Sequence, residues 1–265
     1  PDTRAALQRR LPQADLRDCT NLIRLIRMVK SEEELQRLTR AAQVNENAAM
    51  ETLGMARPGV RTPELVATFR SLAAREGADF DHFAFSPRGW GIAMELDYTL
   101  QAGDVLYVDF GCIYEHYFSD SGTTLALDGA SPEFDGKHAA VSAAIEAGLE
   151  ALRPVAKASD VRAAMWRAME ERGITNSDPH GHSLGLEVRE YPILVPNNGL
   201  RIRDGCVDVS SDLPLEAGMV LNLECAVLQP GEGSVHMERS FVVTTSGCRP
   251  LVPQERSQPV RPEPV

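Results

Sequence analysis

The 265-residue sequence predicts an α+β domain assembled twice over, each half running helix, helix, then strands. Three observations carry that expectation. Ser31-Glu32-Glu33-Glu34 is a capping box ahead of a long amphipathic run. Arg57-Pro58, Leu65 and Arg75-Glu76-Gly77 find counterparts in Arg153-Pro154, Val161 and Glu171-Arg172-Gly173 at a constant offset of 96. Between the two helical pairs, Val105 to Thr124 reads as two strands joined by a turn, each bringing one aspartate.

Taken in order, residues 1–30 are mixed and basic, with Arg9, Arg10, Arg24, Arg27 and Lys30. They read as a linker or as the remnant of a preceding domain. Leu35, Leu38, Ala42, Ala49 and Leu53 recur at helical spacing and predict a helix from Ser31 to about Met55. Ala56-Arg57-Pro58-Gly59 breaks it. Thr62-Pro63 starts a second helix, with Leu65, Phe69, Leu72 and Ala73 on one face, ending near Gly77. From Asp79 to Ala93 a strand and an aromatic loop are expected; Arg88 and Trp90 either line a pocket or simply pack the loop.

In the central pair, two-residue alternation sets Val105, Tyr107 and Asp109 on one face and Leu106, Val108 and Phe110 on the other. Asp109 therefore interrupts an apolar strand, where an isolated charge is costly and needs a partner. Gly111 permits a close backbone approach, and Asp120 follows on the return strand. The second half predicts helices from Glu133 to Leu152 and from Ser159 to Arg172. PHGHSLGL, residues 179–186, reads as a Gly/His turn, followed by a polar loop to Leu213. A strand from Met219 to Leu228 sets Asn222 and Glu224 on one face; another, from His236 to Thr244, aligns His236, Glu238 and Ser240. The domain thus runs over residues 31–249, and residues 250–265 form a proline-rich tail expected to be mobile.

Bulk properties narrow the function. A formal charge of -11 and a pI near 5.1 argue against nucleic acid as the main partner. There is no apolar run of membrane-spanning length and no signal peptide at the start, which argues against a membrane. Five cysteines, odd in number, widely spaced and without a CxxC pair, fit reduced thiols in a cytoplasm. Cys112 and Cys225 read as buried strand filler.

Asp109, Asp120, His182, Glu224 and Glu238 make four carboxylates and one imidazole. Such an oxygen-rich set suits hard or borderline divalent ions such as Mn, Fe, Co or Zn. Crowded together without a cation, the carboxylates would repel one another; two ions would relieve that conflict and acidify a bridging water. Each residue alone reads as an ordinary turn or strand-edge group. Five in order favour metal binding.

The segments VDFG with Asp109, FSDSGTT with Asp120, GHSLGLEV with His182, VLNLECAV with Glu224 and HMERSFVVT with Glu238 resemble the pita-bread metallopeptidases. That group holds methionine aminopeptidases, Xaa-Pro aminopeptidases, prolidases and creatinases, and the resemblance runs from about Lys30 to Thr245. The opening around Val29 to Glu33 is similar to the junction after the N-terminal domain of the prolidase and aminopeptidase P branch, implying an absent N-terminal domain. The resemblance implies a pita-bread fold: pseudo-twofold duplicated ααββ halves with a curved antiparallel sheet. It further implies a homodimer with a dinuclear metal site, hydrolysing a small peptide or amide bond of the Xaa-Pro type with a metal-bridged hydroxide. In these terms Asp109 and Asp120 bind one ion, Asp120 and Glu238 bridge the pair, and His182 binds the second. Glu224 also ligates the second ion and shuttles a proton.

Three positions depart from the family pattern. Ile92 stands where the peptidases carry a histidine before the first aspartate strand, and Arg189 replaces the histidine seven residues after His182. Those imidazoles hold the substrate carbonyl, so their replacement counts against ordinary peptide cleavage. His236 replaces an arginine two residues before the last glutamate and is expected beside the ligands or in proton transfer. Arg189 is expected either to fork a substrate carboxylate or to pair with Glu187 or Glu190. His180 and His116 read as polar loop residues. The alternatives are a lyase or a non-peptide amidohydrolase on the same fold, acting on a small carboxylate-bearing substrate, or a non-catalytic binding module.

Overall fold

A computed structural model describes residues 2–89, 91–94, 97–128, 131–252 and 258–262. Two short helices open the chain, α1 (Thr3–Arg10) and α2 (Thr20–Ile26), where the sequence suggested only a linker. Neither buries a residue, so apolar periodicity could not reveal them. Local groups hold them instead: Asp2 accepts the Ala5 N–H at the start of α1. The Asp204 carboxylate accepts the Asn21 and Leu22 N–H groups at 2.7 and 3.0 Å and satisfies the first turn of α2.

The first half is α3 (Glu32–Leu53), α4 (Thr62–Arg75), β1 (Asp79–Ser86), β2 (Val105–Tyr114) and β3 (Tyr117–Ala126). The capping box forms as expected: Ser31 accepts from the Glu34 N–H, and the Glu34 side chain accepts from the Ser31 N–H. The second half is α5 (Pro132–Ala151), α6 (Ala158–Glu170), β4 (His180–Ser183), β5 (Glu190–Ile193), β6 (Arg201–Arg203), β7 (Asp208–Ser210), β8 (Val220–Gln229), β9 (Gly233–Val243) and β10 (Cys248–Pro250). Gly77 and Gly173, 96 residues apart, both follow their helix with φ of 81° and 74°, a backbone only glycine adopts without strain.

Two expectations change. Residues 179–186 are not simply a turn: His180 to Ser183 form β4, paired antiparallel with β8. The polar loop before Leu213 contains a small hairpin, β6 with β7. Beyond Pro250, the Val260 backbone donates to Thr124 O and accepts from the Ala126 N–H.

The main sheet has the order β1-β2-β3-β9-β8-β4-β5, with β10 on β9, and all these pairs are antiparallel. The hairpins β2-β3 and β8-β9 meet at the centre, where Gly122 pairs with Glu238, and β1 and β4 flank them. The duplication is thus three strands per half, two central and one flanking. Alternation splits each central strand. Leu106, Val108 and Phe110 join Leu65, Phe69 and Phe83 in a core under α3 and α4. Leu221, Leu223 and Cys225 join Ala144, Ile145 and Met165 under α5 and α6. The opposite face carries Tyr107, Asp109, Asn222 and Glu224, so the helices position a polar surface by burying everything that alternates with it. Among the described residues, no helix is long and apolar enough to cross a membrane.

Candidate metal centre

The five residues singled out in sequence converge on that surface. Asp109 comes from β2, Asp120 from β3, His182 from β4, Glu224 from β8 and Glu238 from β9. His182 Nε2 lies 3.6 Å from Asp120 Oδ2 and 3.9 Å from Glu238 Oε1. Asn222 donates to Glu238 Oε1 at 2.6 Å and fixes that carboxylate. His236 Nε2 lies 3.4 Å from Glu224 Oε1 and 3.6 Å from Glu238 Oε2, on the same face as the sequence reading placed it. The Tyr107 hydroxyl lies 3.2 Å from Asp109 Oδ2 and 3.3 Å from Glu224 Oε1, and its ring stacks on His236 at 3.8 Å.

Two histidines escaped the sequence reading. His180 is not a loop residue: on β4, its Nε2 sits 2.8 Å from Glu224 Oε2. His82, on β1, puts Nε2 at 2.8 Å from Asp109 Oδ1 and 3.3 Å from Asp120 Oδ1. A signal for His82 exists in retrospect. Phe83 and Phe85 point to the core, so two-residue alternation turns His82 to the face of Asp109. What the sequence lacks is the register, which sets His82 opposite Gly111.

Both central glycines make room for these rings. A Cβ on Gly111 would lie 2.4 Å from His82 Cε1, and one on Gly122 would lie 1.9 Å from His236 Cε1. The close approach expected at Gly111 is therefore the approach of an imidazole.

All four imidazoles share one orientation. Nδ1 is tied to Asp81 for His82, to the Asp178 carbonyl for His180, to the Ser183 carbonyl for His182 and to the Val108 carbonyl for His236. A carbonyl only accepts, so Nδ1 carries the proton in the last three, and Nε2 faces the carboxylates.

The electrostatics record the crowding. Burial first, then the charges of Asp120, Glu224 and Asp109, hold Glu238 well above the usual carboxylate range. Burial and the neighbouring Asp109 and Glu224 charges push Asp120 up to about 6, against the pull of His82. Glu224 goes the other way: burial raises it, but the hydrogen bond from His180 and the charge of His236 outweigh that and hold it well below the usual carboxylate range. Burial and the Arg189 charge push His182 down to about 4.

Whether the set fits a cation is answered by atoms left without partners. Asp120 Oδ1, His182 Nε2, His236 Nε2 and Glu238 Oε2 are buried and make no hydrogen bond. Buried polar atoms are rarely left so, and divalent ions held among them would give these four their partners. Three overlapping groups have ligand atoms close enough to share an ion: His82-Asp109-Asp120, Asp120-His182-Glu238 and Glu224-His236-Glu238. The donor set fits divalent metal.

Of the remaining positions, Arg189 is half exposed with its guanidinium 3.9 Å from Glu224 Oε2. Its alternative partners are otherwise engaged: Glu187 pairs with Arg24 and Arg27, and Glu190 with Arg27 and Lys30. Ile92 is half exposed. Trp90 lies outside the described residues, as does the Arg88 side chain.

Comparisons with known proteins find relatives along most of the chain. A Xaa-Pro dipeptidase of Pyrococcus furiosus is 25% identical over 247 residues, covering 89% of this chain and 66% of the relative. The uncharacterized peptidase YqhT of Bacillus subtilis is 26% identical over 250 residues, covering 91% and 67%. The chain thus spans about two thirds of the length of these curated relatives. Among solved structures, the dipeptidase PepE from Mycobacterium ulcerans superposes with a TM-score of 0.82 at 25% identity, covering 98% of this chain and 68% of that one. The Xaa-Pro dipeptidase from Bacillus anthracis gives 0.83 at 22% identity, covering 98% and 72%. The model of metallopeptidase family M24 matches residues 36–245, and with that match over most of its length the chain belongs to this family, on the pita-bread fold.

Proposed function

We propose that the chain binds two divalent ions and hydrolyses a small peptide or amide bond of the Xaa-Pro type. The observation that carries the reading is the set of buried, partnerless ligand atoms on three strands, which two divalent ions would satisfy. Asp109, Asp120, His182, Glu224 and Glu238 would hold the ions, with Asp120 and Glu238 shared. When bound, the ions supply a Lewis acid for the carbonyl and an acidified water at neutral pH.

The chain's own residues handle the proton and the substrate. Glu224 is poised to take the proton of the attacking water and return it to the leaving nitrogen. Its Oε2 meets His180, whose side chain is one third exposed and opens a proton path to solvent. Tyr107, whose pKa burial and then the Asp109 charge raise, stays a neutral donor between Asp109 and Glu224 and keeps the two carboxylates apart. Glu224→Gln is expected to lower kcat by roughly 10²–10⁴-fold on a cleaved Xaa-Pro dipeptide, measured at metal concentrations that saturate the variant. Turnover at the wild-type rate would remove its role.

A second reading keeps the fold and changes the substrate. Arg189 brings a guanidinium to Glu224 and is spared by its neighbouring glutamates, which favours a small substrate bearing a carboxylate. Under this reading a non-peptide amide or a lyase substrate replaces the dipeptide. Assaying the metal-loaded protein on Xaa-Pro dipeptides and on small non-peptide acids separates the two.

A further inference from the structure

The five-residue set has one imidazole, yet the site holds others, and one of them stands where an ion would be coordinated by oxygen alone. His82 Nε2 lies 2.8 Å from Asp109 Oδ1 and 3.3 Å from Asp120 Oδ1. Its Nδ1 lies 2.9 Å from Asp81 Oδ2, so a carboxylate holds the ring from behind. That is the arrangement in which a histidine passes its outer N–H to a carboxylate and offers the inner nitrogen to a metal. The ring is nine-tenths buried, and Gly111 leaves the space it fills. Asp120, equally buried, keeps Oδ1 without a hydrogen bond on the side that faces His82. The topology gives the matching half: β4, the flanking strand across the sheet from β1, supplies His182 beside Asp120 and Glu238.

We infer that His82 is a ligand of the ion held by Asp109 and Asp120, oriented by Asp81, so that each of the two ions has at least one imidazole. The inference rests on the two-ion reading above. It changes the kind of metal the site takes: oxygen-only positions suit Mn and Mg, whereas imidazole on both sides draws the pair toward Zn, Fe or Co.

The experiment is titration of chelator-treated protein with Co²⁺ by calorimetry, with the visible Co²⁺ absorption recorded alongside, for wild type, His82→Gln and Asp81→Asn. Wild type is expected to take two ions. His82→Gln should weaken one of them by roughly 10–100-fold or more and alter its visible band, leaving the other ion unchanged. Asp81→Asn should weaken the same ion by a smaller factor, and it decides the matter if His82→Gln does not fold. Two ions bound with wild-type affinity and spectrum in both variants would overturn the inference while leaving the dinuclear reading intact. A wild type taking one ion, with His82→Gln taking two, would overturn it differently, by showing an imidazolium in the place of a metal. A wild type that binds no ion would sink the two-ion reading itself and this inference with it.

Discussion

At Gly122 a single hydrogen atom decides whether His236 reaches the ligand cluster. The ring occupies the space a Cβ would take, so Gly122→Ala forces either the ring or the strand to move. Overpacking of this kind costs about 1–3 kcal/mol, read as a shift in the urea midpoint, and here it should also weaken metal binding. A variant as stable as wild type with unchanged affinity would show that the close packing has no role. Asp120 gives a pH dependence. In the metal-free protein its carboxyl is pushed up to about 6 from 3.8, so the folded chain holds an extra proton between those values. This group's contribution to stability is lost as pH rises through that window, and a cation must displace the proton to bind. The rise in Tm on adding metal should therefore be larger at about pH 7.5 than at about pH 5. An equal rise at both would contradict the assignment. Arg189 belongs to the same scale. Arg189→Ala should raise KM for an acidic substrate and leave a neutral one unaffected; equal effects on both would count against a carboxylate fork.

At the scale of elements, the legible parts were those with periodicity. The helices α3 to α6 follow from apolar spacing, a capping box and Arg-Pro breaks, and β2, β3, β8 and β9 follow from alternation that isolates one acidic face. Asp109 was readable because a carboxylate inside an apolar strand violates the pattern, whereas Asp120, Glu224 and Glu238 were readable only as members of an ordered set of motifs. β4 was not, since four residues with two glycine-spaced histidines carry no apolar alternation of their own. His82 and His180 depend on register between strands distant in sequence, which no local rule supplies. Residues 1–30 hid a structural role in a different way. Lys30 and Arg27 reach across to Glu190, which is buried beside β4, and so tie the entry of α3 to the segment carrying Arg189. Glu190→Ala would leave Lys30 buried without its counter-charge and is expected to cost about 3–5 kcal/mol in chemical unfolding. A loss below about 1 kcal/mol would mean that the lysine simply escapes to water.

For the molecule as a whole, duplication explains why the chemistry sits where it does. Each half brings a hairpin with two acidic positions, and joining β3 to β9 puts all four carboxylates on one surface. Neither half holds the set alone. The arrangement is poor in stability terms without a cation, because burial and mutual repulsion raise Asp120 and Glu238 together. The helices pay that cost by packing the opposite face, where Phe69 meets Phe80, Phe83 and Phe110. Function on this account depends on the two halves docking in register, and the ions should reinforce that docking.

The most direct measurement is an anomalous-difference map from a crystal of the Zn- or Co-loaded protein. Two peaks are expected about 3.5–4 Å apart, sharing Asp120 and Glu238 between them. A metal-replete crystal with no peak among these side chains would contradict the account.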